Sequence, residues 1–87
     1  NNEALGSEYY KLDAHKMNAA LATIPTPDLG AVARAFGGRG RLARSAEDVR
    51  AAAAEWVAKP GPMMIDARIA RSVVTLPYRR IHYGSDE

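Results

Sequence analysis

The first six residues of the chain have side-chain and backbone oxygens that could bind a hard cation. They read Asn1-Asn2-Glu3-Ala4-Leu5-Gly6, a paired asparagine with a glycine four residues after Asn2. Such a pair is typical of a turn that follows a strand. An asparagine offers a neutral amide oxygen, and the backbone two residues further on can offer a carbonyl. Mg²⁺ takes oxygen ligands in a tight octahedron and usually shares them with a phosphate. The opening turn therefore predicts one side of a magnesium and phosphate site.

Three later segments follow this turn in a recognisable order. Residues 27–37 read PDLGAVARAFG, residues 61–66 read GPMMID, and residues 77–84 read PYRRIHYG. Together with the paired asparagine, they resemble the C-terminal end of a thiamine-diphosphate-dependent enzyme of the acetolactate synthase-like group. The resemblance covers nearly the whole chain, and it is carried by the order and spacing of the segments.

The resemblance implies a set of cofactor-binding residues. In that family the second asparagine and a backbone carbonyl two residues later bind the Mg²⁺ that holds the cofactor diphosphate. The implied metal ligands are Asn2 through its side chain and Ala4 through its carbonyl. The implied cofactor-binding residues are Asn2, Ala4, Leu5 and Gly6, with Gly6 as the turn glycine. Leu5 stands where many members carry an aromatic residue, and the family's Gly-Asp-Gly, with its acidic Mg²⁺ ligand, is not among the 87 residues.

The resemblance also implies a function for a larger parent enzyme. That enzyme would use thiamine diphosphate and Mg²⁺ to cleave or form carbon–carbon bonds in 2-oxo acids. No catalytic residue is expected in this segment, and the 87 residues alone are expected to be inactive. The implied partners are the rest of the parent, the other subunits of a homodimer or homotetramer, and a small 2-oxo acid. Neither nucleic acid nor a membrane is an expected partner.

Composition limits the other possibilities. With 87 residues, 47% of them hydrophobic, the chain is one small domain or part of a larger one. It has no cysteine, so disulfides and thiolate metal sites are excluded. No apolar run approaches the length of a membrane span. A cytoplasmic location is the prediction.

Two alternative functions remain open from the sequence. The net charge is +2, and its basic residues concentrate after Gly38, which fits a non-catalytic module that binds an acidic partner. A degenerate family member, with the fold but without the cofactor, is the other alternative. The arginines concerned are Arg39, Arg41, Arg44, Arg68, Arg71, Arg79 and Arg80.

Four further side chains could take part in chemistry. His15 and His82 are the only histidines, and without cysteines or a HExxH spacing they make no zinc site. We expect both to lie on the surface. Tyr9 and Tyr10 follow the opening turn closely and could touch a substrate, although packing is the commoner fate of tyrosines at helical spacing.

Periodicity and capping residues predict the elements that carry these residues. Apolar residues recur at helical spacing in the first, second and third helices, and an unbroken apolar run predicts a strand of a parallel sheet covered on both faces. Thr26 and Ser45 are the expected caps of the second and third helices. The predicted elements are a helix at 7–22, a helix at 27–37, a short strand at 39–44, a helix from Ser45 to about 59 and a strand at 63–69.

This order predicts an α/β fold. Helix, helix, strand, helix and strand are the C-terminal part of a doubly wound parallel sheet, which is incomplete alone because two strands cannot bury their own faces. We expect residues 1–72 to be part of the thiamine-diphosphate-binding domain. Residues 73–87 are predicted to form an extended tail that packs on a neighbouring domain or subunit.

Overall fold

The computed structural model describes residues 1–84. Within them the chain is mixed α/β, with four α-helices and a two-stranded parallel sheet. The elements are α1 (Gly6–Ala14), a 3₁₀ turn (Ala20–Ala22), α2 (Leu29–Ala35), β1 (Arg39–Ala43), α3 (Ala46–Ala58), β2 (Met63–Ala67) and α4 (Leu76–Tyr83). The α/β class predicted from the sequence is confirmed. Residues 85–87 of the predicted tail lie outside the described part.

The chain divides into two compact units. The first contains Asn1–Glu3 and Pro25–Ile69, which carry α2, β1, α3 and β2. The second contains Ala4–Ile24 and the described residues from Ala70 onward, which carry α1, the 3₁₀ turn and α4. Each unit has its own internal contacts and is described separately.

In the first unit, helices contact both faces of the sheet. β1 and β2 pair in parallel, from Arg39 opposite Met63 to Ala43 opposite Ala67, and α3 is the crossover between them. Alternate residues of a strand point to opposite faces. Arg41 of β1 forms an ion pair with Glu55 of α3, 2.6 Å between Nη2 and Oε1. Its neighbour Gly40 faces the other way, toward α2.

The contact between α2 and β1 depends on two glycines. Gly30 and Gly40 are both buried, and a Cβ atom added at Gly40 would overlap the backbone carbonyl of Gly30. The backbones of helix and strand therefore approach more closely than any side chain would allow. This approach fixes the start of α2 above the sheet.

Capping groups set the starts of α2 and α3. Ser45 accepts a hydrogen bond from the backbone N–H of Asp48 at 3.1 Å, which confirms it as the cap of α3. The prediction for α2 was two residues early. Its cap is Asp28, whose carboxylate accepts from the N–H groups of Gly30 and Ala31, while Thr26 lies in the extended segment before it.

The first helix is shorter than predicted. α1 ends at Ala14, because Lys16 adopts a left-handed backbone with φ 55°. The N–H of Met17 donates to Leu12 and that of Lys16 to Asp13, which is the hydrogen-bond pattern of a Schellman motif. The prediction of helix through residue 22 is therefore wrong beyond Ala14, although a 3₁₀ turn forms at Ala20–Ala22.

The prediction of an extended tail is wrong for Leu76–Tyr83. These residues form α4, which has Thr75 at its N-cap and a proline in its first turn. Gly84 ends it in a left-handed conformation, φ 65°. The helix forms because this boundary chemistry, proline at the start and glycine at the end, favours a helix over an extended chain.

Buried apolar side chains are small throughout the described residues. Ala43 and Ala52 are buried in the first unit and Ala22 in the second. The apolar residues at helical spacing in the helix predicted at 27–37 do not all become buried, because Val32 is 42% exposed and Phe36 is 90% exposed. The two-stranded sheet is too narrow to cover these side chains.

Candidate functional site at the carboxyl end of the sheet

The carboxyl ends of β1 and β2 open into a cleft within the first unit. Its volume is about 250 Å³. In open parallel sheets this edge is where ligands bind, because the loops that follow the strands meet there. The lining residues are Ala43, Arg44, Ser45, Ala46, Val49, Ala67, Arg68 and Ile69.

Asn1 lies at this edge and hydrogen-bonds to the backbone that ends β2. Its amino group donates to the carbonyl of Ala67 at 2.7 Å, and its carbonyl accepts from the N–H of Ile69 at 3.1 Å. One residue that donates to position 67 and accepts from position 69 makes the bridge of a parallel ladder.

This bridge lies on the edge of β2 that does not face β1. Arg68 donates its N–H to Ala43 of β1 at 2.8 Å, and neighbouring residues of a strand direct their backbone groups to opposite edges. Ala67 and Ile69 therefore direct theirs away from β1. Asn1 occupies the position of the last residue of a third parallel strand.

The turn after Asn1 is held in a conformation that is uncommon for its residue type. Glu3 has φ 56°, in the left-handed region, which non-glycine residues seldom adopt. The N–H of Glu3 donates to Oδ1 of Asn1 at 3.1 Å, and its carboxylate pairs with Arg68 at 3.1 Å. These two interactions compensate for the unfavourable backbone angle.

Asp66 holds this region together from within the sheet. It is 2% exposed. Its Oδ1 accepts from Nδ2 of Asn1 at 3.0 Å, and its Oδ2 accepts from the N–H of Leu29 at 3.0 Å and from Nε of Arg68 at 3.2 Å. The Leu29 N–H is the main cause that lowers the pKa of Asp66. Burial opposes it, and Asn1 and Arg68 add to the lowering.

Sequence reasoning did not single out Asp66 or Arg68 as site residues. The signal was present, because an aspartate inside the apolar run Met63–Ala67 is an ionisable group on a strand expected to be buried. A buried carboxylate needs a charged or hydrogen-bonding partner. Arg68, two residues after Asp66 in the chain, is that partner.

The four residues implied as cofactor-binding lie in different units. Asn2 belongs to the first, between Asn1 and Glu3. Ala4, Leu5 and Gly6 belong to the second. There Ala4 makes an isolated antiparallel bridge with Thr23, Leu5 is 52% exposed and donates its N–H to Ala22, and Gly6 is the first residue of α1.

The oxygen donors that the resemblance implies are of a kind that Mg²⁺ accepts. The Asn2 amide and the Ala4 carbonyl are neutral oxygens, whereas Mg²⁺ needs about six oxygen ligands, with one or two carboxylates among them. The carboxylates of Glu3 and Asp66 already pair with Arg68. Among residues 1–84 no three histidine, aspartate or glutamate side chains group as a metal site. A complete site would need an acidic ligand from elsewhere.

Tyrosines line a second cleft, within the second unit. Its volume is about 340 Å³, and Tyr9, Tyr10, Tyr83 and Arg71 are among its lining residues. Arg71 lies 5.3 Å from the centre of the Tyr9 ring. Tyr9 and Tyr10 are half-buried, so packing accounts for much of their surface.

Within residues 1–84 the histidines take no part in a cluster of metal ligands. His15 and His82 are exposed, as predicted. His82 lies against the Tyr78 ring, with 4.2 Å between ring centres. His15 follows the last residue of α1.

Several arginines of the basic half pair with carboxylates. Arg39 and Arg41 both contact Glu55, and Arg68 contacts Glu3 and Asp66. Paired guanidinium groups present less net charge to a polyanion. This pairing disfavours the hypothesis of a basic interaction module.

Comparisons with known proteins do not add to this geometry. No protein-family model, curated protein or solved structure matches the chain. In the described part of the chain, each helix is too short or too polar to cross a lipid bilayer.

Proposed function

We propose that the chain is part of a thiamine-diphosphate- and Mg²⁺-dependent enzyme that cleaves or forms carbon–carbon bonds in 2-oxo acids. It would contribute one side of the diphosphate-binding site. The cofactor supplies the carbon–carbon bond chemistry when it is bound, and the protein anchors and orients it. The chain's own residues would anchor the diphosphate end through the turn at Asn1–Glu3.

The observation that carries this proposal is the position of Asn1. Its two backbone hydrogen bonds to Ala67 and Ile69 put the paired asparagine at the carboxyl end of a parallel strand. That is the end at which parallel α/β sheets bind phosphates and cofactors. A turn at the opposite edge of the sheet would lie away from the edge where such ligands bind.

In this proposal Asn2 and Ala4 bind the metal. Asn2 would use its amide oxygen and Ala4 its backbone carbonyl, and Leu5 and Gly6 would lie beside the cofactor. An acidic ligand would come from the residues that precede the turn in the parent enzyme. The loops of the carboxyl edge would close around the diphosphate.

The sheet itself supports a larger parent. Helices contact both faces of β1 and β2, as they would in half of a doubly wound layer. The bridge from Asn1 lies on the edge of β2 where a further parallel strand of the parent would pair. Phe36, at 90% exposure, and Ile81, at 77%, leave apolar surface for the rest of the enzyme or for another subunit. A cytoplasmic homodimer or homotetramer is the assembly that we propose.

Thermal protection of the full-length protein tests the proposal. Mg²⁺ with thiamine diphosphate at a hundredfold excess over its dissociation constant should stabilise the fold by about 2.7 kcal/mol. Asn2→Ala removes one proposed ligand, and the protection should fall, with a dissociation constant roughly tenfold higher, about 1.4 kcal/mol. The matched control is Asn18→Ala, an exposed asparagine in the second unit.

The alternatives give different results in the same assay. A degenerate family member would show no protection by the cofactor in any variant. A basic interaction module would also show none, but it would bind polyanions with an affinity that falls steeply with salt. Equal protection of the wild type and the Asn2→Ala variant would contradict the role of Asn2.

A further inference from the structure

Four residues of the first unit form a closed ring of hydrogen bonds, made by their side chains and by one backbone N–H. Asn1 donates to Asp66 at 3.0 Å, Arg68 donates to Asp66 at 3.2 Å and to Glu3 at 3.1 Å, and the N–H of Glu3 donates back to the side chain of Asn1 at 3.1 Å. Each member has at least two bonds inside the ring. The residues immediately before and after Asn2 are both members of the ring.

Two members of the ring, Asp66 and Arg68, also bond to the backbone of other segments of the first unit. Asp66 is 2% exposed and also accepts from the first N–H of α2, at Leu29. Arg68 also donates to the backbone carbonyl of Pro27, at 3.0 Å. The segment at Asn1–Glu3 is therefore tied to a strand, to the start of a helix and to the connector before that helix.

We infer that Asp66, together with Arg68, is the positioning residue for the Asn1–Asn2–Glu3 turn and sets the direction of the Asn2 amide. Asp66 fixes Asn1 before this residue, and Arg68 fixes Glu3 after it in its left-handed conformation. Neither would touch the cofactor. The inference rests on the proposed function for what the turn binds, whereas the ring itself is independent of it.

The Asp66 carboxylate makes the ring sensitive to a conservative substitution, because both of its oxygens accept hydrogen bonds. Asp66→Asn keeps the size of the side chain but replaces one acceptor oxygen with an NH₂ donor. This donor would face the Leu29 N–H or the groups of Asn1 and Arg68, all of which donate. At least one of the three bonds must therefore break, and the turn should loosen while the β1–β2 ladder stays intact.

The rate of amide hydrogen exchange in the full-length protein measures whether the ring holds the turn in place. In Asp66→Asn the amides of Glu3 and Ile69, which both donate to Asn1, should exchange at least tenfold faster than in the wild type. The amide of Arg68, which donates to Ala43 of β1, should change less than twofold. Glu47→Gln on the exposed side of α3 is the matched control. Unchanged exchange at Glu3 and Ile69 would overturn the inference.

A second pair of variants keeps the test valid if Asp66→Asn does not fold. Glu3→Gln removes the charge that pairs with Arg68, and Arg68→Lys replaces the guanidinium that bonds to both Glu3 and Asp66 with a single ammonium group. If the ring acts as one unit, the double variant should accelerate exchange at Glu3 by less than the product of the two single effects. Independent effects that multiply would contradict a closed ring.

Cofactor affinity separates this inference from the proposed function. Removing residues that orient metal ligands typically costs 10- to 100-fold in affinity, so Asp66→Asn should raise the dissociation constant of Mg²⁺ with thiamine diphosphate by that factor. Faster exchange with an unchanged dissociation constant would overturn the positioning role. Faster exchange in a protein whose wild type does not bind the cofactor would support the ring and contradict the proposed function.

Discussion

At the scale of single residues, the lowered pKa values of Asp66 and Asp48 make the stability of the fold depend on pH. The Leu29 N–H lowers the pKa of Asp66, and the Arg44 N–H does the same for Asp48. A carboxyl group whose folded pKa lies below its unfolded value of about 3.8 stabilises the fold above that pH. This stabilisation is lost as the pH falls through the lowered folded value.

We therefore expect stability to be flat above about pH 5 and to fall below about pH 4. Asp66→Asn should flatten this fall, because its amide does not titrate, and Glu47→Gln should leave it as in the wild type. Urea unfolding of the full-length protein between pH 2 and pH 7 measures the difference. The same acid slope in the wild type and in Asp66→Asn would contradict the role given to this carboxylate.

At the scale of elements, the end of a helix could be predicted from the sequence where a glycine occupies the left-handed position of the motif that ends it. α2 ends in a Schellman motif with Gly37 at its left-handed position, φ 86°, and the sequence predicts this end. α1 ends in the same motif with Lys16 in that position. A lysine carries no signal for a left-handed backbone, so the apolar pattern beyond Ala14 predicts helix where the chain turns.

The boundaries of α4 are visible in the sequence, although the apolar residues of this segment led to a different prediction. Thr75, Pro77 and Gly84 are suitable boundary residues for a helix. The apolar residues from Val73 onward instead indicated an extended tail that packs on a neighbouring domain or subunit. The sheet was easier to predict, since the apolar run Met63–Ile65, extended by Ala67 and Ile69, is typical of a strand in a parallel sheet.

The site was predictable only in part. Asn2 and Ala4 came from a resemblance, and the sequence alone does not reveal that Asn1 bridges to β2. Hydrogen bonds between residues more than sixty positions apart, such as that from Asn1 to Asp66, depend on the tertiary fold. Local patterns carry no information about them.

The packing of α2 on β1 gives a prediction at this scale. Gly40→Ala should destabilise the protein by about 1–3 kcal/mol, because the added methyl group overlaps the backbone of Gly30 and α2 must move away from the sheet. Gly38→Ala is the matched control, since its Cβ would lie 3.3 Å from the Ala33 carbonyl oxygen. Denaturant unfolding measures both. A larger loss for Gly38→Ala than for Gly40→Ala would contradict the close approach.

At the scale of the whole molecule, few apolar side chains of the described residues are buried. The buried apolar side chains of residues 1–84 are alanines, and Phe36, Leu21 and Ile81 are largely exposed. Burial of larger side chains normally supplies most of the folding free energy. In the parent enzyme that we propose, further surface would cover these apolar groups.

The 87-residue chain expressed alone should therefore be weakly stable. We expect a free energy of unfolding below about 3 kcal/mol, a broad urea transition and binding of a hydrophobic dye. The full-length protein should unfold steeply under the same conditions. A sharp transition above about 5 kcal/mol for the 87 residues alone would show that they need no further strands.

The central claim is that the turn at the carboxyl end of β2 binds a metal that holds a diphosphate. Mn²⁺ takes the same oxygen ligands as Mg²⁺ and broadens nearby nuclear magnetic resonance signals. In the full-length protein, Mn²⁺ with thiamine diphosphate should broaden the amide signals of Asn2, Glu3 and Ala4 and leave that of Arg50 on α3 sharp. Broadening that is absent from the turn, or equal at Arg50, would contradict the claim.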